Sequence, residues 1–301
     1  MGHIIEYCLF ELAGLILRLF PLRAVQRFGG TAGEFVGVKL GYRRAIALEN
    51  LRNAFPEEST EKLKRIMRGA FRSVGTALFE FVYFPRLTSA GINEIIDIAN
   101  PDLIREAHAR GKGIILLTAH YGNWELLAQS IPARMGIPVH VIVKPQANEM
   151  IDGKINGWRT MFGNIVVPME SSVRELLKAL RENKAVGLVA DQAAAKESIV
   201  VRFFGRDVPT FEGPAMFSLK TGAPLLLGFA VRQPGGRYLA EFHEVPSSDL
   251  AAYTPENVLE LTKRHVALTE TAIRARPEQW MWMHKRWKHV PSRITSNSLA
   301  S

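Results

Sequence analysis

From Ile114 onward the chain repeatedly sets a short run of Leu and β-branched residues ahead of a stretch with helical periodicity. The runs are Ile114 to Thr118, Val139 to Val143, Ile165 to Val167, Val186 to Ala190, Leu225 to Val231 and Tyr238 to His243. Helical patterns cover Glu61 to Phe84, Pro101 to Arg110, Asn123 to Met135, Met150 to Phe162, Ser172 to Glu182, Gly213 to Thr221 and Pro255 to Arg276. Strands this short and this apolar have both faces covered, which is the condition of a parallel sheet with helices packed on it. The expected fold is α/β, with a mainly parallel central sheet flanked by helices. No repeat and no low-complexity linker divides the chain, so residues 46–294 are expected to form one α/β domain behind an N-terminal helical region of residues 1–45, with a disordered polar tail over 295–301.

The N-terminal region is set apart by its apolarity. Ile4 to Leu22 carries only Glu6, Glu11 and Arg18 as ionised residues. As a helix, nineteen residues reach about 28 Å, close to the hydrocarbon thickness of a bilayer. A charge at the centre of a spanning helix costs on the order of 2.5–3.5 kcal/mol, and Glu11 sits there. Glu11 and Arg18 share a helical face, so the alternative is a helix lying in the membrane interface with those two toward water. A third possibility is the buried first helix of a soluble domain. No basic segment precedes the run and no small-residue cleavage site closes it, against a secretory signal. Basic residues flank it: Arg23, Arg27, Lys39, Arg43 and Arg44. Gly29, Gly33, Gly37 and Gly41, four apart, form a small-residue ridge against which a second helix packs closely, in a membrane or in a core.

The charge balance narrows the partners. Thirty-eight Lys and Arg against 29 Asp and Glu leave a net charge of +9 on 301 residues, so the partner is expected to be acidic. The positive residues are scattered and no nucleic-acid module occurs, which argues against nucleic acid. The single cysteine, Cys8, forms no intrachain disulfide and builds no cysteine metal site, as fits a reducing, cytoplasmic compartment.

A serine-nucleophile elbow, a P-loop and a dinucleotide fingerprint are all missing from the sequence. What stands out is Ile114-Ile-Leu-Leu-Thr-Ala-His120-Tyr-Gly-Asn-Trp-Glu125. A buried strand runs into a histidine, Gly122 turns the chain, and Asn123 caps a new helix. Five residues apart on one helix, His120 and Glu125 would diverge by roughly 140°. With the turn between them, His120 lies on the loop and Glu125 in the first helical turn, where a carboxylate holds an imidazole in one tautomer and stabilises its protonated form. The placement at the carboxyl end of a parallel strand is where ligands of open α/β sheets bind. The same residues also suit a histidine merely satisfied by a capping-turn glutamate.

At these residues the chain resembles the HX4D/E acyltransferases that act on glycerolipids, and among them the bacterial lipid A biosynthesis acyltransferases that add secondary acyl chains. Asn50-Leu-Arg-Asn-Ala-Phe-Pro-Glu is similar to that family's NL…FPE segment. Lys144-Pro145 followed by Arg159 resembles its RP…R segment. Asp191-Gln192, Phe203-Phe-Gly205 and Thr210 to Gly213 resemble its DQ…FFG…T..G block, and Pro277-Glu-Gln-Trp-Met-Trp-Met-His284-Lys-Arg286-Trp resembles its close. Two departures stand out. Lys144 replaces the usual arginine and lacks its bidentate fork, and Ala193-Ala-Ala-Lys196 lacks the acidic and glycine residues often found after Asp-Gln.

The resemblance implies a glycerolipid acyltransferase-like fold and acyl transfer from a thioester, on acyl carrier protein or CoA, to a hydroxyl of an anionic lipid acceptor. His120 would be the general base, oriented by Glu125. Arg159, then Lys144 and Arg202, would hold phosphate or the oxyanion. Asp191 would position Arg159 or the acceptor, with Gln192 also in the substrate site. It calls for neither cofactor nor metal, and implies the cytoplasmic face of a cell inner membrane. Acyl transfer to a lysophospholipid or a phosphatidylinositol mannoside-type glycolipid is the alternative, and a non-catalytic membrane-surface protein the other. Phe203-Phe204 reads as core or acyl-groove lining, and Trp280, Trp282 and Trp287 as core or interfacial anchors. Lys285, Arg286, Lys288, His289 and Arg293 read as a head-group surface.

Overall fold

The structure, a computed structural model, describes residues 2–250 and 252–290; the expected tail and Arg293 lie outside the described residues. Two helices open the chain, α1 (Gly2–Leu17) and α2 (Leu22–Glu34), the latter continuing through a π-helical turn at Phe35–Lys39. They are followed by α3 (Arg44–Ala54), the long α4 (Thr60–Tyr83) and α5 (Ser89–Ile95). The α/β part then runs β1 (Ile96–Ile98), α6 (Pro101–Ala109), β2 (Ile114–Thr118), α7 (Trp124–Met135), β3 (Val139–Val143), α8 (Glu149–Thr160), β4 (Ile165–Pro168), α9 (Ser172–Arg181) and β5 (Ala185–Val189). A hairpin of β6 (Val200–Phe203) and β7 (Arg206–Pro209) precedes α10 (Gly213–Thr221), β8 (Leu225–Arg232), β9 (Tyr238–Glu244) and α11 (Pro255–Ala275).

Seven strands form one sheet in the order β1-β9-β8-β2-β5-β3-β4. All neighbouring pairs are parallel except β8 with β9, so the expected mainly parallel sheet is present. Strand β2 lies at its centre, and its alternation divides two cores. Ile115 and Leu117 join the core that contains α3, α9, α10 and α11, while Ile114 and Leu116 join the one beneath α6 and α7. All four are buried, which is why this strand carries no polar residue before Thr118.

The glycine ridge belongs to a core contact. Helix α2 lies along α4, and a Cβ at Gly33 would run into the carbonyl of Phe71 and the backbone of Gly75, while one at Gly37 would strike the Phe71 ring. Gly41 stands outside the ridge, in a turn with φ +75° and open space around it.

Helix α1 departs from the expectation that Glu11 and Arg18 face water. Both face the protein. Glu11 pairs with Lys154 at 3.2 Å, and Arg18 Nε donates to the Val82 carbonyl at 3.0 Å while its guanidinium covers the Trp158 ring. The polar face finds partners on α8 and α4, and the apolar face is left outside. No helix among the described residues is long and apolar enough to cross a membrane. A buried first helix is excluded as well, since Gly14 is the one buried residue of α1.

Candidate active site

The site is built where β2 and β5 end side by side. Their parallel register pairs Thr118 with Val189. Two residues further along each chain stand His120 and Asp191, so sheet pairing alone brings together groups 71 positions apart. The imidazole Nδ1 lies 2.7 Å from Asp191 Oδ1, and the His120 backbone N–H donates to Asp191 Oδ2 at 3.0 Å. The Trp280 indole N–H donates to the same Oδ2 at 2.7 Å. Asp191 is buried and His120 about one-fifth exposed at the side chain. An ionised carboxylate accepting three hydrogen bonds obliges Nδ1 to carry the proton, which leaves Nε2 as the ring's basic nitrogen.

Burial by itself would lower the His120 pKa. The Asp191 charge and hydrogen bond, with a smaller contribution from Glu125, outweigh it and hold the imidazole above its ordinary value. Burial correspondingly pushes Asp191 up, and the charge and hydrogen bond of His120 with the Trp280 indole bring it below the usual carboxylate range. The two shifts agree in favouring an imidazolium-carboxylate pair. Gln192 Nε2 is nearly equidistant from the two ring nitrogens, at 3.4 and 3.3 Å. With Nδ1 engaged by Asp191, the Gln192 amide is the neighbour that an incoming hydroxyl meets at Nε2. Trp124 meets the imidazole edge-on, with centroids 5.0 Å apart.

The loop carrying His120 is clamped on both sides. Gly122 adopts φ +58°, and a Cβ there would collide with the Ala230 carbonyl, so only glycine fits the turn. Its N–H donates to Gln279 O at 2.9 Å, and Met281 N–H donates to His120 O at 3.0 Å. Asn123 caps α7 through Oδ1, which accepts from Leu126 N–H at 2.9 Å. Its Nδ2 donates at 2.8 Å to Glu80 Oε2. Glu80, buried in α4, also accepts from Gln26 at 2.6 Å and the Tyr238 hydroxyl at 2.5 Å, and faces Arg232 at 3.3 Å.

Glu125 makes a different contact from the one expected. Its carboxylate takes a two-point pair with Arg159, Nη2 to Oε1 at 2.6 Å and Nε to Oε2 at 3.1 Å. It influences His120 through its charge and not by a hydrogen bond; the orienting contact is made by Asp191. Asp191 accordingly does not reach Arg159. Glu125 lies in the first turn of α7 and Arg159 in the last turn of α8, and the two turns meet. Lys144, just past β3, is exposed and makes no ion pair among the described residues. Arg202 lies on the exposed face of β6, opposite Phe203, which packs against Trp280 and Trp287. His120, Glu125, Arg159, Asp191 and Gln192 thus converge by contact or by charge; no contact joins Lys144 or Arg202 to them.

Of the residues expected to form a head-group surface, Lys285, Lys288 and His289 are exposed and Arg286 is not. Trp280, Trp282 and Trp287 are buried, and so is Arg286. Arg286 donates to Pro209 O at 2.7 Å and Thr210 Oγ1 at 2.9 Å and covers the Phe203 ring. Burial lowers its pKa to about 10, opposed by Asp191. Behind Asp191 is a cavity of about 20 Å³ lined by Thr118, Phe203, His265 and Arg286 among others, room for one water. What the sequence reading missed is the hydrogen bond of Trp280 to Asp191, the burial of Arg286 and the role of Asp191. The signal in the sequence is that His120 and Asp191 each follow the carboxyl end of an apolar run, Ile114 to Thr118 and Val186 to Ala190. No group of three His, Cys, Asp or Glu that could hold a metal occurs among the described residues.

A histidine backed by a buried carboxylate at the carboxyl edge of a parallel sheet is the equipment of an enzyme that activates a hydroxyl, and the relatives specify which kind. Residues 3–289 match the family described as bacterial lipid A biosynthesis acyltransferase. The chain is 26% identical over 287 residues to the lipid A biosynthesis lauroyltransferase of Escherichia coli, covering 94% of this chain and 90% of that protein. It is 25% identical over 274 residues to the palmitoleoyltransferase of the same organism, with 88% and 84% covered. It is 23% identical over 254 residues to the phosphatidylinositol mannoside acyltransferase of Mycolicibacterium smegmatis, with 78% and 81% covered. The protein is an enzyme that transfers acyl groups. It belongs to the bacterial lipid A biosynthesis acyltransferase family.

Proposed function

We propose that the enzyme transfers a fatty acyl chain from a thioester donor to a hydroxyl of a lipid A precursor, at the cytoplasmic face of the inner membrane. The observation that carries this reading is the His120–Asp191 pair, whose Nδ1 contact of 2.7 Å leaves Nε2 as the base. Nε2 takes the acceptor hydroxyl proton as its oxygen attacks the thioester carbonyl. Asp191 stabilises the imidazolium that forms. Collapse of the tetrahedral adduct breaks the carbon-sulfur bond, and the thiolate leaves with the proton returned from Nε2. No enzyme nucleophile enters, in keeping with Cys8 lying in α1. Arg159, oriented through Nε and Nη2 by Glu125, keeps Nη1 for an acceptor phosphate or the developing oxyanion.

The resemblance to phosphatidylinositol mannoside acyltransferases favours the second reading, in which that glycolipid is the acceptor. Purified enzyme, an acyl carrier protein thioester and, separately, a lipid A precursor, a lysophospholipid and a phosphatidylinositol mannoside decide between them by mass spectrometry of the products. Acylation of the lipid A precursor alone is the expected result. Product with only the mannoside overturns the acceptor, and no product with any of the three overturns the activity.

A further inference from the structure

We propose that Glu80 is a positioning residue for acyl transfer, fixing through the Asn123 side chain the joint between His120 and the Glu125–Arg159 pair. Its effect on turnover rests on the role given to Arg159 above, as the cation that meets the acceptor phosphate or the oxyanion. Asn123 stands three residues after the base and two before Glu125, and it is fully buried. Its amide is engaged at both ends. Oδ1 accepts from Leu126 N–H and so holds the first turn of α7, the turn that carries Glu125. Nδ2 donates to Glu80 Oε2 at 2.8 Å. A donor refused at this place is relieved only by turning the amide over, which takes Oδ1 off Leu126 and undoes the cap.

Glu80 reaches the other residue of the turn by way of Arg232. The Arg232 guanidinium faces both carboxylate oxygens, at 3.3 and 3.4 Å. Its backbone N–H donates to Gln279 Oε1 at 2.8 Å, and its carbonyl accepts from Gln279 Nε2 at 3.0 Å. The Gln279 carbonyl in turn accepts from Gly122 N–H. One carboxylate thereby braces Asn123 directly and Gly122 through two intermediates. Replacing a buried ion pair by apolar side chains is often neutral or stabilising, so stability alone does not account for a charge buried in α4. What an apolar residue could not do is accept from Asn123.

The two carboxylate oxygens are not equivalent, and that makes the bond reversible by design. In Glu80→Gln the remaining oxygen stays with Arg232, which has no acceptor, and with Gln26, whose Nε2 is also held by Gly236 O at 2.8 Å. The introduced NH₂ therefore takes the place of Oε2. The Tyr238 hydroxyl turns and accepts from it. The Asn123 amide, tied to Leu126, meets it donor to donor. Adding Asn123→Asp reverses the hydrogen bond: one oxygen of the introduced carboxylate keeps the cap on Leu126, and the other accepts from the introduced amide. The cluster then has the same net charge as in the parent.

The full chain carrying Glu80→Gln, Glu80→Gln with Asn123→Asp, or Tyr238→Phe is assayed in detergent with an acyl carrier protein thioester and a lipid A precursor, at a temperature where circular dichroism shows each variant folded. Hydrogen exchange over residues 119–130 is followed by mass spectrometry on the same samples without substrate. Glu80→Gln is expected to lose about tenfold to a hundredfold in kcat/KM, with faster exchange in the first turn of α7. The reversed pair returns both to within about threefold of the parent. Tyr238→Phe takes a different donor from the same carboxylate and leaves Asn123 paired, so it lowers thermal stability and keeps the activity. The proposal is overturned by a folded Glu80→Gln that turns over like the parent, by a loss the reversed pair does not recover, or by an equal loss in Tyr238→Phe, which would make Glu80 a structural group only. Exchange reads the cap with no substrate present: an inactive parent would overturn the acyl-transfer reading, while unchanged exchange in Glu80→Gln overturns this one.

Discussion

Replacing Asp191 by asparagine tests the site at its most constrained point. Asp191 Oδ2 accepts from two N–H groups that cannot turn, the backbone of His120 and the indole of Trp280. The asparagine oxygen must therefore occupy the Oδ2 position, which aims the amide NH₂ at His120 Nδ1. Nδ1 becomes an acceptor, the ring proton moves to Nε2, and the lone pair that takes the substrate proton is lost. The variant keeps its size and two of three hydrogen bonds, so folding is retained while the base sits in the wrong tautomer. Loss of general-base catalysis is worth about 10²–10⁴ in kcat, or about 2.7–5.4 kcal/mol at 1.36 kcal/mol per factor of ten. The pH profile gives a second reading. The Asp191 charge is what lifts the imidazole against the downward pull of burial, so the acid limb of kcat/KM lies above the ordinary histidine value near 6.5 in the parent and moves to lower pH in Asp191→Asn. Steady-state assays from pH 5 to 9, with circular dichroism to check the fold, measure both. A variant that turns over within about threefold of the parent, with its acid limb unmoved, would refute the role of Asp191 and the tautomer it enforces.

Five further outcomes are expected. His120→Ala abolishes acyl transfer with little change in thermal stability, and adding Asp191→Asn to it costs almost nothing more, because the two act as one unit; a multiplicative loss in the double variant would count against the pair. Arg159→Lys, which cannot keep both contacts to Glu125, loses about tenfold in kcat/KM, measured with the lipid acceptor in detergent. Glu80→Gln sets an NH₂ among four donors and leaves Arg232 uncompensated, lowering stability by about 2–3 kcal/mol in urea denaturation. His265 is buried and its pKa is pushed down to about 3; between about pH 6.5 and 3 the unfolded chain binds a proton the folded one refuses, so this residue costs stability as pH falls, by about 1.4 kcal/mol per unit, and His265→Leu flattens that slope in acid unfolding curves. For the donor, kcat/KM with acyl carrier protein thioesters falls more steeply with salt than with acyl-CoA of the same chain, because a docking protein depends on more distant charge pairs; equal salt dependence would remove the preference.

Much of the α/β frame is legible in the residue order, since each buried strand must be apolar on both faces and each covering helix must show a 3.6-residue period. β2 and β3 occupy the residues their apolar runs predict, and Asn123 caps α7 as its position before the helix requires. The hairpin of β6 and β7 leaves no such trace, because its strands are only four residues long and each carries charge, Arg202 in one and Arg206 and Asp207 in the other. His120 is visible as a histidine at a strand end followed by a glycine turn. Its partner is not, because Glu125 is near in sequence while Asp191 becomes a neighbour only once β5 is paired beside β2. The sequence writes each strand but not the order in which strands pair. The same division governs the N-terminal helix. Its apolarity and three charges are plain in the sequence, yet which side meets the protein depends on Asn148 and Lys154, more than 140 residues away. A polar residue on an apolar helix turns toward water only when no buried partner waits for it, and here tertiary packing supplies the partners. Local sequence determined the elements and the candidate base; the long-range register of the sheet and the docking of α1 on α8 decided what that base touches and which face of the enzyme is left apolar.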